Sequence, residues 1–198
     1  MARKFSKTTS TESSKGKADL REYTKEEIAS AVDKLVIARI GLLMRHPFFG
    51  NMATRLAIVD ASTWCSTLAT DGRTFYYNVG FVNKLSAKQC EFGFAHEVLH
   101  NVFDHMGRRE SRDPKLSNIA ADYAVNQILK DDKIGEKPDF INIFQDDKYR
   151  GWSYEQIYDE IEKKAVKIDL DTLGELLDDH LDDIDDDSNG SSPRPKLT

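Results

Sequence analysis

The sequence predicts an α+β fold that is rich in helices and carries a small β-sheet or hairpin beside a central helix. Two observations predict this fold class. Apolar residues recur at three- and four-residue steps after capping boxes at 24–27, 86–89 and 153–156, which is typical of helices. Between the first two boxes, a stretch rich in Thr, Phe and Tyr follows an Asp-Gly turn, which indicates a hairpin. With 198 residues, 39% of them hydrophobic, the chain can bury one core.

The N-terminal half is predicted as a long helix followed by short strands. Residues 1–23 are polar and mildly basic, and we predict a disordered arm there. The capping box at 24–27 starts an apolar helix that ends before Pro47, because the residue preceding a proline disfavours helical backbone. A strand is predicted over 56–59, and a hairpin over 66–78 turns at Asp71-Gly72 and returns along 74–77.

The most informative segment is the HExxH motif His96-Glu97-Val98-Leu99-His100, inside a helix predicted to run from the second capping box to a stop at Gly107. At about 100° per residue, His96 and His100 lie one turn apart and about 40° apart around the axis, so both imidazoles can reach one ion. Glu97 falls beside them, where it can polarise a metal-activated water without being a ligand. The alternative is that both histidines are ordinary core residues and that Glu97 is exposed.

The HExxH helix itself offers no well-placed third ligand, although a zinc site needs at least three. Asp104 lies eight residues, or about 12 Å, beyond His96, so it can orient His100 but cannot share the ion. His105 points to the opposite face of a continuous helix, and only a break near Asp104 would bring it back. His105 therefore stays open as an alternative third ligand.

A helix predicted over 116–129 offers a better third ligand. Its residues Asn118, Asp122 and Asn126 share one stripe at four-residue spacing. Asn and Asp are poor helix formers, because their short polar side chains compete for backbone hydrogen bonds. We therefore predict that Asp122 completes the ligand set of a Zn²⁺ site, with the two asparagines as hydrogen-bonding neighbours. The alternative is a helix face that is merely polar and solvated.

Several motifs of the chain occur together in a fixed order. They are HPFFG at 46–50, ATDG at 69–72, YN at 77–78, HEVLH at 96–100 with His105 and Arg109 following, NIAADYAVN at 118–126 and YRGWSYEQIY at 149–158. In this the chain resembles the putative metallopeptidase domain family of bacteria and phages, whose longer members carry a von Willebrand A-like domain after the peptidase-like part. The resemblance spans about 24–165 and implies a zincin-like fold and a peptidase activity. The sequence leaves no room for the second domain, so functions that depend on it are not expected.

The resemblance also implies a place for the substrate. In zincin-like folds a strand shortly before the HExxH helix commonly forms a sheet edge along the cleft, to which an extended peptide can add. That strand would be the returning strand over 74–77. The alternative is that Phe75 and Tyr77 simply pack beneath the helix.

The C-terminal third is predicted as a loop-rich connection over 131–151 and a helix from the third capping box to about Val166. Residues 168–198 are predicted to be an acidic, largely disordered tail, which leaves 24–167 as the metallopeptidase-like domain. Cys65 and Cys90 lack a metal-binding spacing and are expected to be reduced packing residues. A net charge of −6 and a pI near 5.4 do not suggest a nucleic-acid partner. The chain shows neither a membrane-spanning run nor a signal peptide, so a cytoplasmic location is expected.

These observations lead us to expect a zinc-dependent hydrolase, a metallopeptidase that acts on a protein or peptide with Glu97 as general base. Several side chains are candidates for stabilising the oxyanion: Tyr123, Tyr149, His105, Arg108 and Arg109. A second hypothesis is a catalytically silent interaction module in which zinc holds two helices together. A third is a phage factor that acts on a host protein.

Overall fold

The computed structural model describes residues 21–165, so the predicted arm (except 21–23) and the predicted tail lie outside the described residues. The elements are α1 (Lys25–Arg45), α2 (Pro47–Arg55), β1 (Ala57–Asp60), β2 (Leu68–Thr70), β3 (Thr74–Tyr77), α3 (Val79–Lys84), α4 (Ala87–Val102), α5 (His105–Arg108), α6 (Pro114–Asp131), a 3₁₀ turn (Asp147–Tyr149) and α7 (Tyr154–Ala165). The predicted α+β class, helix-rich with a small sheet, is confirmed. Within 21–165, no helix combines the length and the apolar character that crossing a bilayer requires.

The three predicted capping boxes are present at the starts of α1, α4 and α7. In the second, the Ser86 hydroxyl accepts from the Gln89 backbone at 3.1 Å, while the Gln89 side chain accepts from the Ser86 backbone at 2.9 Å. Two short helices, α2 and α3, were not predicted. Pro47 occupies the first turn of α2, and the Asn78 side chain caps α3 by accepting from the Phe81 backbone at 2.9 Å.

The sheet has the order β1-β3-β2, with β1 parallel to β3 and β2 antiparallel to it. The predicted hairpin is therefore present, and Gly72 takes the positive φ (+86°) that its turn needs. The expectation that 74–77 forms the sheet edge along the cleft was wrong, because β1 pairs with its free side and makes it the central strand. The alternative is what the structure shows: Phe75 and Tyr77 are buried, and the Phe75 ring stacks on Phe94 of α4 at 4.0 Å between centroids.

Helix α4 crosses α1 in the main core, and a buried ion pair joins the two helices. The carboxylate of Glu91 is 2% exposed and pairs with Arg45 of α1 and, at 3.1 Å, with Lys88. Since a buried carboxylate without a partner is costly, this contact favours the observed packing of α4 on α1.

The predicted continuation of α4 to Gly107 was wrong. The helix ends at Val102, and Asp104 adopts left-handed backbone (φ 49°, ψ 45°) before the short helix α5 begins at His105. Asp is among the few residues that tolerate this conformation, and its side chain accepts from the Gly107 backbone as the cap of α5. The chain therefore turns back and carries His105 toward α4.

Helix α6 lies between two apolar clusters. Its residues Val125 and Leu129 join the main core, whereas Leu116 and Ile119 belong to a second cluster with α7. The helix begins earlier than predicted, because Asp113 caps it by accepting from the Leu116 backbone at 3.0 Å. Packed on both sides, α6 presents one remaining face to α4.

Candidate metal centre

The polar face of α6 meets the HExxH segment of α4. His96 Nε2 lies 3.4 Å and His100 Nε2 lies 3.1 Å from Asp122 Oδ1, and the two ring nitrogens are 2.9 Å apart. The three side chains are about one-fifth exposed, at 20%, 19% and 19%. Two imidazole nitrogens and one carboxylate oxygen thus converge from two helices and keep one open side.

The donor set fits a zinc ion. Ligands at about 2.0–2.1 Å in a tetrahedron have donor atoms about 3.3 Å apart, close to the separations of 2.9, 3.1 and 3.4 Å found here. The ligand atoms all lie within 4.8 Å of one another. Two imidazoles and a carboxylate with one open position match the composition of catalytic zinc sites.

Each imidazole is held at its other nitrogen. His96 Nδ1 lies 2.9 Å from Oδ1 of Asn126, whose Nδ2 donates to the Phe144 carbonyl at 3.0 Å. His100 Nδ1 lies 3.1 Å from Nδ1 of His105. Both contacts direct the Nε2 atoms toward Asp122, which is the role of hydrogen-bond partners behind metal-binding histidines.

The charges within the cluster shift its titration. Burial disfavours the charged imidazole, but the hydrogen bond and charge of Asp122 outweigh it and raise the pKa of His96 to about 9. Burial acts to raise the pKa of Asp122, but the hydrogen bonds and charges of His100 and His96 hold it below its usual range. Burial, with the neighbouring charges of His100 and Arg108, lowers the pKa of His105 to about 3. The His105 imidazole is therefore neutral, and its Nδ1 can accept a hydrogen bond from Nδ1 of His100.

Glu97 lies next to the cluster and lines the same cleft as His96 and Asp122. It is not among the three side chains whose ligand atoms converge. Burial raises the pKa of Glu97, and the two imidazoles partly oppose that rise. A carboxylate whose pKa is moved toward neutrality is better matched to proton transfer than an ordinary one.

The structure separates the predicted site residues into those that converge and those that do not. His96, His100 and Asp122 converge, and Asn126 hydrogen-bonds with His96. Asn118 makes no hydrogen bond to this cluster among the described residues. The suggestion that Asp104 orients His100 was wrong, because Asp104 caps α5 and His105 contacts His100 instead.

The candidates for oxyanion stabilisation lie in different surroundings. Arg108 is engaged by Glu155, with 2.6 Å between Nη2 and Oε1. Tyr149 is 3% exposed and packs edge-on against Tyr123. His105 is buried beside Tyr154 and contacts His100. These contacts give Arg108, Tyr149 and His105 structural partners.

The described residues form an α+β fold with a His-His-carboxylate cluster whose donor atoms lie close enough together to share one metal ion. The chain belongs to the putative metallopeptidase domain family, whose model matches residues 15–193. This confirms the family predicted from the motifs, and the family implies a metal ion. No curated protein and no solved structure was found to match the chain. The family match extends past 24 and 167, and those domain boundaries stay a prediction.

Proposed function

We propose that this protein is a zinc-dependent peptidase in which His96, His100 and Asp122 hold the metal and Glu97 is the general base. The observation that carries the proposal is the convergence of three donor atoms at tetrahedral separations, with Glu97 in the same cleft. Membership of a metallopeptidase family supports the same reaction class.

The residues divide the chemistry between them. Bound zinc would lower the pKa of a water molecule to about 7 and polarise a carbonyl group. Glu97 accepts the proton of the attacking water and delivers it to the leaving nitrogen of the amide. Asn126 and His105 keep the two imidazoles in the orientation that presents Nε2 to the metal.

The substrate class follows from charge and composition. A net charge of −6 opposes binding to nucleic-acid phosphates, so we propose a protein or peptide substrate. Cys90 is a buried thiol outside any disulfide, which suits a reducing compartment such as the cytoplasm.

Zinc affinity tests the ligand assignment. Wild type should bind one zinc, and His96→Ala, His100→Ala and Asp122→Ala should each weaken binding by orders of magnitude in a chelator competition. His105→Ala should weaken it less, since His105 contacts the metal site only through His100. Full zinc affinity in Asp122→Ala together with its loss in His105→Ala would exchange the roles of these two residues.

Glu97→Gln tests the reaction. On fluorescently labelled casein, this variant should lose turnover by orders of magnitude while it keeps zinc and the fold. Glu26→Gln, on the exposed first turn of α1, is the matched control and should behave like wild type. If wild type and Glu97→Gln have the same activity, or wild type has none on any peptide, the alternative of a zinc-stabilised interaction module is favoured.

A further inference from the structure

A cleft lies beside the metal cluster and is lined in part by its residues. Its polar end is formed by His96, Glu97, Asp122 and Asn126. The space between its walls, counted together with the open solvent at its mouth, is about 550 Å³. Clefts that take small ligands are typically apolar with a few convergent polar groups, and this cleft has such groups at its metal end.

The other walls of the cleft are mainly apolar, with Thr67, Gln89 and Asn142 as polar exceptions. They come from α3, α4 and the segment after α6, and include Phe81, Leu85, Phe92, Ile141, Ile143 and Phe144. Among the residues that line it, Glu97 and Asp122 are the only Asp, Glu, Lys or Arg side chains, and both lie at the metal end. A charged side chain deep in this cleft would lose water without gaining a partner, whereas an apolar one would leave water favourably.

One wall is formed by Pro138 and residues 141–144, which belong to the segment 134–144 that we call the strap. Near its start it lies against α4, where a Cβ on Gly135 (φ +65°) would collide with the backbone of Phe92. At its end, Asn126 Nδ2 of α6 donates to the Phe144 carbonyl at 3.0 Å. Because both ends are attached to the helices that carry the metal cluster, the strap forms a wall at a defined distance from it.

We propose that this cleft is the specificity pocket, which takes a bulky apolar side chain such as Leu or Phe from a residue adjoining the cleaved bond. This inference rests on the proposed peptidase function and names its substrate class. Burying a leucine-sized side chain should favour such a substrate over an alanine one by roughly 10- to 100-fold in kcat/KM.

The first test uses wild-type zinc protein and capped peptides of Ala and Gly in which one central residue is Leu, Phe, Ala, Lys or Asp. The single variable side chain sets the register, so cleavage should fall at a bond that flanks it, as mass spectrometry reports. The Leu and Phe peptides should be cleaved at least 10-fold more efficiently than the others. The same order should appear in the Kd of each peptide for zinc-loaded Glu97→Gln, which is a binding readout without turnover.

Variants of the strap link the preference to the cleft. Ile143 is half-buried on the pocket wall, so Ile143→Ala should reduce the preference for Leu, and Ile143→Glu should favour the Lys peptide. Ile58 is the matched control: it packs on the same core from β1 but does not line the cleft, so Ile58→Ala should leave the preference unchanged.

The outcomes separate this inference from the peptidase proposal. If the peptides bind with the apolar preference and none is cleaved, the pocket is supported and the peptidase proposal fails. If they are cleaved without regard to the central side chain, the peptidase stands and the pocket assignment is overturned. Binding of no peptide, or an apolar preference that survives Ile143→Glu, also overturns it.

Discussion

Asn126 joins the metal cluster to the strap, so its substitution is an informative perturbation. Its side chain is 2% exposed; Oδ1 accepts from His96 Nδ1 at 2.9 Å, and Nδ2 donates to the Phe144 carbonyl at 3.0 Å. Asn126→Ala removes both bonds. We expect zinc affinity to fall about 10- to 100-fold, or about 1.4–2.7 kcal/mol, because His96 is then free to rotate away.

The assay is zinc competition against a fluorescent chelator, with urea unfolding of the metal-free protein measured separately. The urea experiment measures the loss in free energy of unfolding without zinc, which should be about 1–3 kcal/mol because a buried group loses its partner. Asn118→Ala is the matched control, since Asn118 lies in the same stripe of α6 without bonding to the cluster. Asn126→Asp keeps an acceptor for His96 but not the donor to Phe144, so it should retain zinc better than it retains peptide binding.

The reasoning is refuted if Asn126→Ala binds zinc within threefold of wild type. It is refuted as well if Asn118→Ala loses as much affinity, because the stripe as a whole, rather than the bond to His96, would then be responsible.

Two further predictions concern proton release and stability. Because Asp122 raises the pKa of His96 to about 9, the metal-free protein holds a proton on His96 below that pH. Zinc must displace this proton when it binds. The affinity for zinc should therefore rise about tenfold per pH unit between pH 6 and 8. Calorimetry in buffers of different ionisation enthalpy should detect about one released proton at pH 7, and a pH-independent affinity would contradict this protonation. Arg45→Met leaves the buried Glu91 carboxylate with Lys88 alone and should lower the free energy of unfolding, measured in urea, by about 1–3 kcal/mol. The control Arg55→Met changes an exposed residue and should lower it by less than about 0.5 kcal/mol. Equal losses in the two variants would mean that the ion pair does not contribute to stability.

Signals local to the chain were sufficient for much of the fold. Capping boxes predicted the starts of α1, α4 and α7 because a cap involves residues only three positions apart. The position of β3 could not be predicted in this way, since its parallel pairing with β1 joins residues seventeen positions apart, Ala57 with Thr74, and no local pattern specifies it. The break after α4 was missed for a different reason: it depends on Asp104 taking left-handed backbone, which Asp tolerates but does not require.

The same distinction applies to the candidate metal centre. His96 and His100 could be paired from their spacing alone, and the unusual Asn/Asp stripe on α6 drew attention to Asp122. The role of His105 was missed, because a continuous helix would have carried it to the opposite face. An Asp three residues before a Gly, as in Asp104 and Gly107, is a cap signal that could have indicated the new helix start.

The spacing on α6 explains why two members of the stripe reach His96 and the third does not. Four residues of helix rise about 6 Å, so the side chains at 122 and 126 can lie on either side of one imidazole ring and each contact one of its nitrogens. Asp122 Oδ1 accordingly lies 3.4 Å from Nε2, and Asn126 Oδ1 lies 2.9 Å from Nδ1 of the same ring. One ring has only these two nitrogens. Asn118 lies one further turn along α6, and no nitrogen of this ring is left for it. Two residues spaced four apart on α6 thus orient His96 and supply the carboxylate beside it.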